Sequence, residues 1–300
     1  MVIRVLYITG ITGHTGTWLL KRLVKEKYQG PIRCVVRQGS NTSLIDQSGL
    51  NIEKVYGDLD DLAFLKESMK GVETIIHISW IMHSPKVVEA AIENDVKWAI
   101  LVHTTGRFSK YKSASEEYIK IEDSLLVLKD KINLTVLRPT MIYGSAADRN
   151  MIKLIDFLNR FRAFPLFGKG ENLMQPVHAR DLGNAYYDVL MNPDVTMNNN
   201  YNLSGKNPIT YKKLIETVSA KLNKKTILIS LPLRFSVVSA RIYNKITSKA
   251  IISEEQVLRM QEDKAFSYEK AKRDFGYNPI DFEEGIQEEV QLYLKAKGKR

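Results

Sequence analysis

The residues of this chain best able to do chemistry lie near its start. Gly10, Gly13 and Gly16 are spaced three apart, with Thr12, His14 and Thr15 among them. Gly10 suits a tight turn, Gly13 lets the backbone approach a pyrophosphate, and Gly16 lets a helix sit close to a strand. A helix starting there points unpaired N–H groups and a positive dipole end at phosphate oxygens. His14 sits where it would touch the same group, and Thr12 and Thr15 complete the candidate contacts of the loop. An ordinary glycine-rich turn is the alternative, and context decides between them. The run from Val2 to Ile8 is short, apolar and β-branched, as a buried strand is. Trp18, Leu19, Leu20, Leu23 and Val24 follow at helical spacing. Strand, glycine turn and helix together predict a dinucleotide site.

The elements that must hold this loop alternate through the first half. Strands are expected at Ile32 to Arg37, Asn51 to Tyr56, Val72 to Ser79, Trp98 to His103 and Leu134 to Leu137. Helical patterns fall between most of them, at Leu62 to Met69, Lys86 to Asn94 and Ser115 to Leu128. Such alternation implies an α/β fold with a doubly wound parallel sheet, ligands lying at the carboxyl ends of its strands. From about Ala146 the alternation breaks. The boundary is placed there: residues 1–145 form the dinucleotide-binding domain and 146–300 a smaller mixed lobe for substrate, with some segments returning to the first domain. Asn198-Asn199-Asn200 reads as a polar loop, and Asp60-Asp61 as a helix start.

Composition sets limits. A single cysteine, Cys34, inside an apolar run, allows no intrachain disulfide and suits a reducing cytoplasm. It reads as a small core residue. The N-terminal apolar run ends at once in the glycine turn, unlike a signal peptide, and no apolar stretch is long enough to span a bilayer. The charge of +10, from 44 Lys and Arg against 34 Asp and Glu, favours anionic ligands, but no basic recognition motif points to nucleic acid. Five scattered histidines lack metal-ligand spacing, and no Ser-His-Asp set has a nucleophile-elbow context. His103 reads as a core histidine.

The type of nicotinamide cofactor follows from the end of the second strand. A carboxylate there would accept hydrogen bonds from the ribose of NAD, whereas a cation would pair with the 2′-phosphate of NADP. The chain has Arg37 at that place and no carboxylate until Asp46. NADP is favoured, NAD is the alternative, and a solvated arginine would be the bland reading of Arg37.

Taken in order, several short motifs resemble the extended short-chain dehydrogenase/reductases, the NAD-dependent sugar epimerase/dehydratases. They are Thr9-Gly10-x-x-Gly13-x-x-Gly16, Gly57-Asp58-Leu59, Ile76-His77-Ile78-Ser79, Arg138-Pro139-Thr140 with Tyr143-Gly144, the segment Gln175 to Leu182, and Tyr268 to Gly285. The resemblance covers nearly the whole chain and implies a Rossmann sheet. It places Asp58 and Leu59 at the adenine, Ile78 and Ser79 at the nicotinamide ribose, and Pro139 at the end of the sixth strand beside the cofactor. In that family a tyrosine acts as acid/base, and a lysine four residues later lowers its pKa. Here those positions fall at Ala114 and Tyr118. Thr105 can take the family's Ser/Thr role of orienting a substrate hydroxyl. Tyr111 is the tyrosine nearest the acid/base position, with Lys110, Lys112 or Lys120 as sources of the cation that a phenol with a pKa of about 10 needs.

Two functions stay open at this level. One is a hydride-transferring epimerase, dehydratase or reductase on a sugar nucleotide or lipid-linked sugar, whose phosphates would suit Arg149, Lys153, Lys169 and Arg180. The other is an NADP-binding regulator without turnover, resembling nitrogen-regulation sensors. Resemblance further implies a homodimer through the long helices of the first domain. Leu231 to Ile246 reads as a basic amphipathic helix, able to rest on the inner face of a membrane or to pack on the second lobe.

Overall fold

The computed structural model describes residues 5–145, 148, 150–232 and 258–298. The apolar run forms β1 (Val5–Thr9), and the strands that follow are β2 (Ile32–Val36), β3 (Ile52–Tyr56), β4 (Val72–His77), β5 (Trp98–Val102) and β6 (Asn133–Pro139). A later strand, Asn200–Leu203, joins them. The seven lie in the order Asn200–Leu203, β6, β5, β4, β1, β2, β3, and every neighbouring pair is parallel. This is the doubly wound sheet that the alternation implies. The order reverses between β4 and β2 on either side of β1, so the crevice for a ligand opens above the carboxyl end of β1.

Both faces of the sheet are covered at its centre, which is why β1 and β5 are largely apolar rather than alternating, while the edge strand β3 carries Glu53 and Lys54 and buries none of its residues. Leu6 and Ile8 pack with Leu19, Leu20 and Leu23 of helix α1 (Gly16–Lys25) on one face. Tyr7 points the other way, toward Leu65, Val87, Val88 and Leu101. Leu19 and Leu23 are wholly buried, each contributing about 1.5–3 kcal/mol relative to exposure. Cys34 is buried in the first of these clusters, as its run predicts.

Beyond residue 150 the chain divides its work. Helix Ala179–Met191 packs against α1, and Gly183 is what permits it: a Cβ there would stand 2.6 Å from the backbone of Leu19. Asn198 takes a left-handed φ of 58° and accepts a hydrogen bond from Leu134 N at 3.0 Å. The asparagine run is thus a tight turn, and Asn200 already belongs to the strand that pairs with β6. Tyr201 and Leu203 carry that strand into the core.

The remaining elements pack on a separate apolar cluster that includes Tyr143, Ile155, Leu158, Ile215, Val218, Ile286 and Val290. They comprise helices Met151–Arg160, Tyr211–Lys221 and Phe282–Gly298, with short strand pairs such as Ala163–Phe167 beside Ile227–Leu231. Leu231 ends the last of these strands. The rest of the amphipathic segment, from residue 233, lies outside the described residues.

Candidate active site

The glycine loop has the shape its spacing requires. Gly10 adopts a φ of 78°, and a Cβ there would stand 3.0 Å from the Ser79 nitrogen on the adjacent strand end. Side chains rarely adopt that conformation, and this one has no room for them. Gly13 N donates to Gly10 O at 2.9 Å, closing the turn. A Cβ on Gly16 would overlap the Gly10 carbonyl and come within 2.7 Å of Ile11 Cα. Glycine is therefore needed at Gly16 for α1 to reach the strand end. No side chain caps the start of α1, which leaves its first turn for a ligand anion. His14 Nε2 is buried without a partner, and burial holds this imidazole below its ordinary pKa. Thr15 is buried and accepts a hydrogen bond from Tyr186 Oη at 3.3 Å, whereas Thr12 is half-buried. An orphaned imidazole nitrogen and an uncapped helix start, in a cradle that side chains would fill, fit a pyrophosphate.

At the far end of that cradle Arg37 is exposed just beyond β2, and among the described residues it has no carboxylate partner. The nearest carboxylate in sequence, Asp46, is taken by Lys54 at 2.5 Å and Thr42 at 2.9 Å. Asp58 is exposed beyond β3 and accepts from Asp60 N at 2.9 Å. Leu59 packs on the core beneath. Asp61 caps helix Leu62–Ser68 by accepting from Phe64 N at 3.0 Å, so one of the aspartate pair does start a helix.

Ile78 and Ser79 follow β4 along the other side of the loop. Ile78 N donates to Thr9 O at 3.2 Å. From the glycine loop a cleft of about 1070 Å³ runs toward the second half of the chain, lined by Gly13, His14, Thr105, Thr140, Asp148 and Lys264 among others. Thr105 lies on its wall and donates to Pro139 O at 3.2 Å. Tyr111 is half-buried immediately before helix Lys112–Leu126 and is not among the cleft-lining residues, which reach Ser109 and Lys110. The ring of Tyr118 packs under Gly106, 3.2 Å from where a Cβ would be. The structure thus joins the glycine loop and Thr105 along one cleft and sets Tyr111 just past its wall.

Two features of the site had no functional reading in the sequence. One is a buried charge cluster around Glu122. Its carboxylate accepts from Arg138 Nε at 2.9 and 3.1 Å, from Arg138 Nη2 at 2.5 Å, from Arg107, and from His103 Nδ1 at 3.1 Å. Burial pushes the Glu122 pKa up, but the hydrogen bonds from His103 and Arg138 outweigh it and hold the group at about 2. His103 is buried and satisfied, with its second nitrogen on Ser84 Oγ at 3.2 Å. Arg107 lies in the turn Thr105–Phe108, and Arg138 precedes Pro139, so Glu122 secures Thr105 from both sides. The i, i+16 spacing of Glu122 and Arg138 gives no local signal for this.

The second feature is the strap 259–266. Glu262 accepts from Ser109 Oγ at 2.8 Å and Lys110 N at 2.6 Å, while Asp263 accepts from Leu173 N at 2.7 Å. These bonds carry Arg259 and Lys264 to the cleft wall. Among the described residues, no group of three or more His, Cys, Asp or Glu is arranged to hold a metal ion, and no helix is long and apolar enough to cross a membrane.

Residues 6–102 match the family described as the NAD dependent epimerase/dehydratase family. Over that stretch the chain is similar to that family. The match runs from β1 to β5 and so takes in the glycine loop. Solved structures extend the likeness of fold to almost the full length. The structure of gox2253 gives a TM-score of 0.80 at 19% identity, covering 97% of this chain and 98% of that one. The UDP-glucose 4-epimerase of Thermotoga maritima, solved with UDP-glucose, gives 0.74 at 16%, covering 98% and 99%. DesIV, the dTDP-glucose 4,6-dehydratase of Streptomyces venezuelae solved with NAD, gives 0.75 at 16%, covering 98% of each chain. At these identities it is the fold that is shared. A curated relative, sterol demethylase protein B of Methylococcus capsulatus, is 34% identical over 70 residues, which are 23% of this chain and 20% of that protein.

Proposed function

We propose that this epimerase/dehydratase relative binds NADP(H) and acts by hydride transfer on a sugar nucleotide or lipid-linked sugar. The observation that carries the reading is the shared wall: Gly13 and His14 of the cofactor cradle line the same cleft as Thr105, Thr140 and Lys264. The unpaired Arg37 favours NADP over NAD. The bound nicotinamide would supply a reversible hydride acceptor. Thr105, anchored to Pro139 O, orients a substrate hydroxyl. Tyr111, one residue past the cleft-lining Lys110, is assigned the acid/base work, and Arg259 and Lys264 offer cations to substrate phosphates. UDP-glucose, bound in one structural neighbour, and dTDP-glucose, for which another is named, are the first candidates. The test is a panel of sugar nucleotides added to protein with NADPH or NADP, followed at 340 nm for net oxidation or reduction and by chromatography of the sugar products for epimerisation or dehydration, in which the hydride returns to the substrate. Turnover on a member of the panel supports the reading.

A second reading, an NADP-binding regulator without turnover, is favoured by one specific observation. Ala114 and Tyr118 occupy the places of the acid/base pair, and Tyr118 is packed against Gly106 rather than turned to the cleft. Tight NADPH binding with no turnover across the panel would favour this alternative.

A further inference from the structure

Trp80 is the most exposed aromatic side chain among the described residues, with 64% of its surface in solvent. It follows Ser79, whose backbone nitrogen lies beside the Gly10 turn and faces Thr9 Oγ1 at 3.5 Å. Its own carbonyl accepts from His83 N at 3.0 Å, which fixes the backbone, and its ring meets the His83 ring edge to face at 5.9 Å and 80°. His83 Nδ1 reaches Asp60 Oδ1 at 3.4 Å, and Lys86 Nζ binds the same oxygen at 3.0 Å and Asp60 O at 2.8 Å. Asp60 lies two residues past Asp58. The loop after β3 and the loop after β4 are therefore tied together beside the ring, through Asp60, His83 and Lys86.

An indole that rests edge-on against His83 with 64% of its surface in solvent leaves a large apolar face uncovered beside the glycine turn, free to stack on a ligand. A purine ring has a π-face of matching size, and base–aromatic stacking needs no particular hydrogen-bond pattern. We infer that Trp80 forms the outer wall of the adenosine end of the cradle and stacks on the adenine of the bound dinucleotide. Asp58 and Leu59 then meet the base from the β3 side and Trp80 from the β4 side. The inference rests on the cofactor reading above and assigns one further residue to it.

Titration of the full chain with 2′,5′-ADP, which carries the adenine and the 2′-phosphate but no nicotinamide, tests it by tryptophan emission and by calorimetry. Trp80 is the exposed one of three tryptophans, since Trp98 is buried and Trp18 half-buried. Quenching should occur in the wild type and be lost in Trp80→Phe, which keeps most of the affinity because a phenyl ring also stacks. Trp80→Ala should bind about 5- to 100-fold more weakly, with an unchanged thermal midpoint because the side chain is largely solvated. Unchanged affinity in Trp80→Ala, while Gly13→Val abolishes binding, would overturn the role of Trp80 and leave the cofactor site standing. Failure of the wild type to bind either 2′,5′-ADP or NADPH would overturn the cofactor reading and this inference with it.

Discussion

Replacing Glu122 by glutamine should destabilise the protein strongly at neutral pH, and much less in acid. The carboxylate is almost wholly buried and meets Arg138, Arg107 and His103. Its pKa falls from 4.5 to about 2 on folding. At about 1.4 kcal/mol for each tenfold change in proton affinity, this corresponds to roughly 3 kcal/mol of stability. A group with a depressed folded pKa contributes in full above its unfolded value and loses the contribution as pH falls toward its folded one. The window is therefore pH 4.5 down to about 2. Glutamine keeps the shape but leaves the Arg138 guanidinium, whose side chain is 10% exposed, without a counter-charge, and stranding one partner of a buried pair costs about 3–5 kcal/mol. Urea unfolding of wild type and Glu122→Gln from pH 7 to pH 3 would show a gap of about 3 kcal/mol that is flat above pH 5 and narrows below it. A gap under about 1 kcal/mol at pH 7, or one that stays constant down to pH 3, would refute the reasoning. Because Glu122 secures Thr105 through Arg107 and Arg138, while the glycine loop stands apart, NADPH should bind the folded variant within about threefold of wild type.

Other outcomes follow from the same structure. Gly13→Val should fold and lose dinucleotide binding by calorimetry, since the branched side chain would fill the pyrophosphate's space. Arg37→Ala should narrow a preference for NADP over NAD by about five- to thirty-fold, measured as the ratio of the two dissociation constants. Burial, with the Asp148 charge nearby, raises the Glu289 pKa to about 8. The folded protein then holds a proton that the unfolded chain releases, so stability should fall as pH rises from 4.5 to 8. Glu289→Gln should flatten that part of the melting-temperature profile. Once a substrate is found, Tyr111→Phe should lower kcat by about 10²-fold if its hydroxyl transfers the proton, and a variant with full activity would transfer that role to Tyr118 or to water.

From the sequence alone came the sheet and the shape of the glycine turn, because each rests largely on local rules. Apolar runs of strand length separated by helical spacing leave few ways to wind a parallel sheet. Gly16 is required by backbone contacts with Gly10 and Ile11, only a few residues away, and Gly10 by its left-handed φ. Only the tertiary structure brought Arg138 to Glu122, laid Glu262 across Ser109 and Lys110, and returned Asn200–Leu203 to the edge of the sheet. These are pairings between residues far apart in the chain, or between one loop and another, and no periodicity encodes them. The same holds for Tyr111 and Tyr118. Both stood as phenols near the family's position, and packing decided that Tyr118 lies against Gly106 and that Tyr111 lies just past the cleft wall. Chemical type is written along the chain, but proximity and burial, which turn a type into a reactive group, exist only once distant segments have packed.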